Sequence, residues 1–577
     1  MKFEFNLSLE ELEKRTDKDI LIRKPMLGVD AKEYENLQDG DKQALAHLVK
    51  AAMYANSIYM KQDNELNLPF KAFLEEEIKN GNKQAELTKI LFDAQLGIIG
   101  IDSESKPVVL LKGAKELAGK AFYPADMTKE ELQSILKKML KDGEVEEVTK
   151  ILNQRSIVKR NGDKLKAYDY TEEFKEEFEQ MAAELEEAAK VSTNKDFNEY
   201  LTLQCAALRA NDPMLDAKAD KKWAELQYTP LEFTLSREQY ADLLTGSVIE
   251  DEELNELLIK HNVTPVSKDS IGVRVGIVNK EGTEDLLKIK HFLPLMAQNM
   301  PLKEKYEQNI SSEEDNLQTM ADVDIVALRG DEGSYRGGIT IAQNLPNNDK
   351  LSLTIGGGRR NVYHRQVRTS SSKDALERRQ KRLNDTLNPE LHKYYNPEAD
   401  HWFTIGHENV HSLGPKSGTE ALGKYKNIIE ENKADMGSLA LLDCLTEAKA
   451  YTEEQKKQIL VTFGANCFLK AKPELSQAHR VRTVMQTYFF IKEGALSVSD
   501  DGIIDINIDK MIPAARKMLT EIIEVQLSQS FARGEKYVND YFVWSDEIEK
   551  VSEKLKATDK SLNGMILTPL ADYLMNK

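Results

Sequence analysis

The chain has 577 residues, 41% of them hydrophobic and 31% charged, and a formal net charge of −18. That length supports two or more cores, or two lobes around a cleft. The negative charge argues against nucleic acid or an anionic membrane as a general partner, and no apolar run approaches the roughly 18 residues a membrane helix needs.

The start, Met1-Lys2-Phe3-Glu4-Phe5, has no apolar signal-peptide core. Cys205, Cys444 and Cys467 are widely spaced, with no C-x-x-C pair, and read as buried thiols rather than a disulfide framework. A cytoplasmic location is expected.

Residues 1–100 read as mostly helical, over Leu7–Lys14, Gly40–Asn64 and Asn82–Leu96, with breaks at Asn67-Leu68-Pro69 and Lys79-Asn80-Gly81. Thr128 is a candidate N-cap, with Glu131 three residues on. Residues 171–190 form an acidic helix with Phe174, Phe178, Met181 and Leu185 on its apolar side, and 196–225 continue helical.

The pattern then changes to strands. Leu231–Leu235 alternates, Ile271–Val278 does so more clearly, and Asp324–Leu328, Ile339–Ala342 and Leu351–Ile355 are further candidates. Gly356-Gly357-Gly358 lacks the ending of a phosphate loop and reads as a turn. Nine Lys or Arg residues lie between Arg359 and Arg382; with no aromatic platform beside them they read as a solvated helix, not a nucleic-acid surface. From 400 onward the chain is helical, with breaks at Pro473 and Ser497–Gly502.

The chemistry concentrates at His407-Glu408-Asn409-Val410-His411, an H-E-x-x-H motif. On a helix, residues i and i+4 share a face, so His407 and His411 can turn two imidazoles to one metal, with Glu408 beside them. Gly414-Pro415 is a plausible stop. A catalytic metal site needs a third protein ligand and one open position. Thr419–Cys444 reads as a second helix whose Glu431 and Asp435 are again i and i+4. One can ligate, and the other can orient a ligating histidine through its far nitrogen.

Five blocks together resemble the dipeptidyl-peptidase III zinc peptidases, especially their bacterial branch. They are Phe122-Tyr123-Pro124-Ala125-Asp126-Met127-Thr128-Lys129-Glu130-Glu131; Pro230-Leu231-Glu232-Phe233-Thr234 leading to Glu238-Gln239-Tyr240-Ala241-Asp242; Asn344-Leu345-Pro346-Asn347; the H-E-x-x-H segment through Glu430-Glu431-Asn432-Lys433-Ala434-Asp435; and Gln477-Ala478-His479. The family is best known for a six-residue H-E-x-x-G-H motif. This chain has the five-residue form, so a regular helix is expected.

The resemblance implies one zinc per chain on His407, His411 and Glu431, with Glu430 and Asp435 supporting the ligands and Glu408 as general base. Tyr240 looks like the family's cleft tyrosine and His479 like its transition-state histidine. Glu238, Asn344 and Asn347 look like the residues that grip a free peptide N-terminus. The implied fold is α+β: mainly helical and two-lobed, with a β-rich, barrel-like portion in one lobe, the zinc helices in the other, and a cleft between.

Residues 1–280 would form the N-terminal part of the lower lobe, 281–325 a helical segment of the upper lobe, and 326–370 the β segment carrying Asn-Leu-Pro-Asn. Residues 371–540 would be the catalytic upper lobe and 541–577 a C-terminal segment. The implied activity is release of dipeptides from short peptides with free N-termini, by a monomer without nucleic-acid or membrane partners. The alternative is a zinc-bearing peptide-binding homologue with little or no turnover.

Overall fold

The computed structural model describes residues 3–239, 241–308, 319–333, 342–345, 355, 358, 360–369, 373–415 and 417–576. Its N-terminal part is helical as expected. Helix α1 (Asp39–Asp63) carries a buried stripe from Ala44 through Leu48, Ala52 and Ala55. It packs against α2 (Lys175–Val191) and the strands that follow, and α2 packs against α3 (Lys195–Arg209). Thr128 caps its helix by accepting from the Glu131 N–H at 3.2 Å; the Glu131 carboxylate turns outward to Arg160.

A five-stranded sheet follows, built from β1 (Leu231–Glu238), β2 (Ser270–Asn279), β3 (Thr319–Gly330), β4 (Ala342–Leu345) and β5 (Arg360–Tyr363). Its order is β1-β2-β3-β5-β4. Neighbours run antiparallel except β3 and β5, which are parallel, with Asp322 opposite Tyr363. An irregularity between Val275 and Gly276 bends the β2–β3 ladder. The result is a curled half-barrel within a mostly helical, two-lobed molecule.

Several sequence expectations change here. The strand expected at Asp324–Leu328 runs from Thr319 to Gly330, across the boundary expected at residue 325. Residues 339–341 and 351–354 lie outside the described residues. The basic stretch does not begin as a solvated helix. It opens with β5, where Arg360 has no exposed surface and pairs with buried Glu232 at 2.7 Å. A charge run hides such a strand, because its one buried arginine looks like its exposed neighbours in sequence.

The second lobe has its own core, around α4 (Pro397–His411), α5 (Lys426–Ala440), α6 (Ala478–Lys492) and α7 (Ile508–Ser528). Helix α5 runs through its centre, with Ile428, Ile429 and every residue from Glu431 to Ala440 buried. The helix expected over Thr419–Cys444 is broken. Gly423 takes φ 56°, so a 3₁₀ segment precedes α5, and a separate short helix follows it. Among the described residues, no helix is long and apolar enough to cross a membrane.

The lobes meet at defined contacts. Asn361 of β5 donates to Asn409 Oδ1 of α4 at 3.2 Å, and Leu286, Met320, Ala342, Tyr363 and Ile405 form a small shared core. Lys424 pairs with Glu250 at 3.2 Å, and Arg480 of α6 donates to the Ser103 carbonyl at 3.1 Å.

Candidate metal centre

Helix α4 begins with Asn396 as N-cap, accepting from the Glu398 N–H at 3.0 Å, and Pro397 in its first turn. It continues without a kink to His411, as the five-residue motif requires. Two glycines let α4 and α5 approach closely. A methyl group at Gly406 would collide with the Ser438 side chain, and one at Gly437 with the Val410 methyls. That contact lays the face carrying His407 and His411 over the face carrying Glu431 and Asp435.

The three expected ligands converge. His407 Nε2 and His411 Nε2 are 3.0 Å apart. Glu431 lies 3.5 Å from His407 Nε2 and 3.8 Å from His411 Nε2. Among the described residues, His407, His411 and Glu431 form the group whose ligand atoms cluster closely enough to hold one ion. Glu408 Oε1 is 4.0 Å from His407 Nε2.

The surrounding carboxylates fix the ring orientations. His407 Nδ1 meets Asp435 Oδ1 at 2.7 Å, and His411 Nδ1 meets Glu430 Oε1 at 3.1 Å. With each Nδ1–H given to a carboxylate, each Nε2 carries a lone pair into the space shared with Glu431. Burial holds both histidines neutral, His407 down to about 3 and His411 down to about 4. Burial also opposes ionisation of Glu431, yet nearby His479 outweighs it and keeps this carboxyl well below the usual range. Glu408 is pushed up to about 8, by burial first and the Glu431 charge second.

Three converging lone-pair donors with no proton between them are a poor arrangement on their own. Glu431 Oε2 completes no hydrogen bond, although His479 Nδ1 stands 3.1 Å away. Two imidazole nitrogens and a carboxylate match the donor set of a divalent zinc-type ion, so the residues fit the metal that the sequence implies.

Residues that the sequence reading did not single out complete the surroundings. Arg482 and Gln486 follow His479 on α6 at i+3 and i+7. Arg482 ion-pairs with Asp435, and Gln486 donates to it at 3.0 Å. Gln526 of α7 donates to Glu430 Oε2 at 2.9 Å. The helical spacing from His479 was the available signal for Arg482 and Gln486. Nothing in the sequence pointed to Gln526.

The receptor candidates sit on the sheet. Glu238 ends β1 and is buried. Asn344 is placed by its backbone on β4, opposite Asn361, the residue that reaches the motif helix. Tyr240 and Asn347 lie outside the described residues.

Fold and site together define a two-lobed, mostly helical protein with a His-His-Glu cluster able to hold one metal ion, beside a glutamate. No family model matches the chain. It is similar to Nudix hydrolase 3 of Arabidopsis thaliana, at 20% identity over an alignment 598 positions long, covering 94% of this chain and 72% of that protein. Two solved structures share its fold. Dipeptidyl-peptidase III from Corallococcus sp. strain EGB matches at TM-score 0.80 and 21% identity, covering 98% of each chain. DPP III from Caldithrix abyssi matches at TM-score 0.73 and 20% identity, covering 98% of this chain and all of that one. The chain has the dipeptidyl-peptidase III fold.

Proposed function

We propose that this chain is a zinc-dependent exopeptidase that releases dipeptides from the free N-terminus of short peptides. The observation that carries the reading is the convergence of His407, His411 and Glu431 beside Glu408, within the dipeptidyl-peptidase III fold.

His407, His411 and Glu431 would hold one zinc ion. When bound, the metal supplies Lewis-acid polarisation of the scissile carbonyl and makes water acidic enough to lose a proton near neutral pH. Glu408 takes the proton from the attacking water and returns it to the leaving amine. His479, beside Glu431, and Tyr240 donate to the oxygen on which charge develops. Asp435 and Glu430 keep both imidazoles turned to the site.

An exopeptidase must also recognise the chain end. A free α-amine is a cation, so the Glu238 carboxylate with the amide oxygens of Asn344 and Asn347 is a suitable receptor. Set two residues from the scissile bond, it selects dipeptides. We further propose a cytoplasmic monomer with no nucleic-acid or membrane partner. The proposal keeps the expected division into lobes but moves the boundary expected at residue 325 back to Thr319, because β3 begins there.

The test is product analysis by mass spectrometry on matched peptides, unblocked and N-acetylated. Successive loss of two-residue units from the unblocked peptides alone is expected. Peptide binding without products would move the chain to the binding-protein alternative, and cleavage of both sets would remove the amine receptor.

A further inference from the structure

One charged group beside the His-His-Glu cluster takes no part in the proposed chemistry. Lys433 lies on α5 between Glu431 and Asp435, and its side chain has no exposed surface. A buried ammonium is strongly unfavourable unless its protons are matched to acceptors. Lys433 has two. Its Nζ donates to the Leu413 carbonyl at 2.6 Å and meets Glu430 Oε1 at 2.8 Å. Its Cδ would lie 3.1 Å from a Cβ at Gly414, which takes φ +86°, so the chain leaving α4 is folded directly over the lysine stem.

Both partners lead to the same ligand. Glu430 is the carboxylate that orients His411, and Leu413 lies two residues beyond His411 in the turn that ends α4. One ammonium thus holds the carboxylate behind the ring and the backbone after it. The two histidines differ in their need for this. His407 sits within the helix, and its partner Asp435 is 2% exposed and held by Gln486 and Arg482. His411 is the last residue of α4, where helices fray, and its partner Glu430 is 26% exposed.

We infer that Lys433 is a positioning residue of the metal site, setting His411 through Glu430 and through the Leu413 carbonyl. This rests on the metal-site reading proposed above. It predicts that the end of α4 and the His411 ring loosen together when the ammonium is removed.

The experiment uses the full chain as wild type, Lys433→Met, Lys433→Gln, Glu430→Gln and the Lys433→Met/Glu430→Gln double variant. Zinc affinity is read by competition with a chromophoric chelator, and ligand geometry by the visible spectrum of the cobalt-loaded protein. Lys433→Met should weaken zinc binding by about 10- to 100-fold and alter the cobalt bands. Lys433→Gln, which keeps a donor for Leu413, should fall between it and wild type.

If Lys433 acts through Glu430, the double variant loses little more than the worse single one. Unchanged affinity in both Lys433 variants would overturn the inference, as would losses that multiply in the double variant. Should Lys433→Met not fold, Lys433→Gln against wild type decides in the same way. A wild type that takes up no stoichiometric metal would overturn the site reading too, whereas normal uptake by wild type and both variants overturns only the role of Lys433.

Discussion

Helices α4 and α5 carry the candidate metal-site residues at a four-residue repeat on two adjacent surfaces, whereas the sheet carries the receptor candidates on opposite edge strands. His407 and His411, like Glu431 and Asp435, share a face because 3.6 residues make a turn. Glu238 on β1 and Asn344 on β4 are separated by three strands of the sheet order, and only the curl of the half-barrel can bring such edges together. A site written in local periodicity tolerates no shift along either helix. A receptor written in long-range topology depends on loops and strand registers far from itself.

The comparison predicts different kinetic losses on its two sides. Glu408→Gln should lower kcat by about a thousandfold, because it removes the proton acceptor, while zinc content stays at one per chain. A variant with wild-type kcat would remove Glu408 from the reaction. Glu238→Gln should instead lower kcat/KM for unblocked peptides by about ten- to a hundredfold, mainly through KM. Loss confined to kcat would contradict a binding role.

The helix side of the comparison was legible in the sequence because its signals are short. The motif, the i and i+4 carboxylates and the cap at Thr128 each lie within a few residues. The sheet was legible at Ile271–Val278, where alternation is clear, and not at Arg360–Tyr363, where a four-residue strand hides in a basic run. The close contact of Gly406 with Ser438 and Gly437 with Val410 was also invisible, since a mid-helix glycine acquires meaning only from what lies across from it. Arg482 and Lys433 were passed over for the opposite reason: as basic residues they resemble solvated surface until the fold buries their charged ends.

Packing gives the next test. Gly406→Ala should destabilise the protein by about 1–3 kcal/mol, read from the urea midpoint, because the added methyl forces α4 and α5 apart at their crossing. Zinc affinity should fall with it. An unchanged midpoint would mean that the helices are not in close contact there.

On the sheet side, the expected effect depends on pH. Asp322 of β3 is pushed up to about 7, by burial first and Asp324 second. A carboxyl raised in the folded state contributes stability that is fully present below its unfolded value of about 3.9 and lost as pH rises through about 7. Asp322→Asn removes that loss, so the variant should gain stability relative to wild type between about pH 4 and about pH 8. Urea midpoints at the two pH values check it; a constant gap would show that Asp322 titrates in the folded protein as it does in the unfolded chain.

The central claim is that His407, His411 and Glu431 hold one metal ion. Metal analysis of purified wild type and Glu431→Gln, each reconstituted with zinc and freed of excess, tests it most directly. One zinc per chain in wild type and substoichiometric zinc in the variant are predicted. No stoichiometric metal in wild type, or equal retention by the variant, would contradict the site on which the proposed chemistry stands.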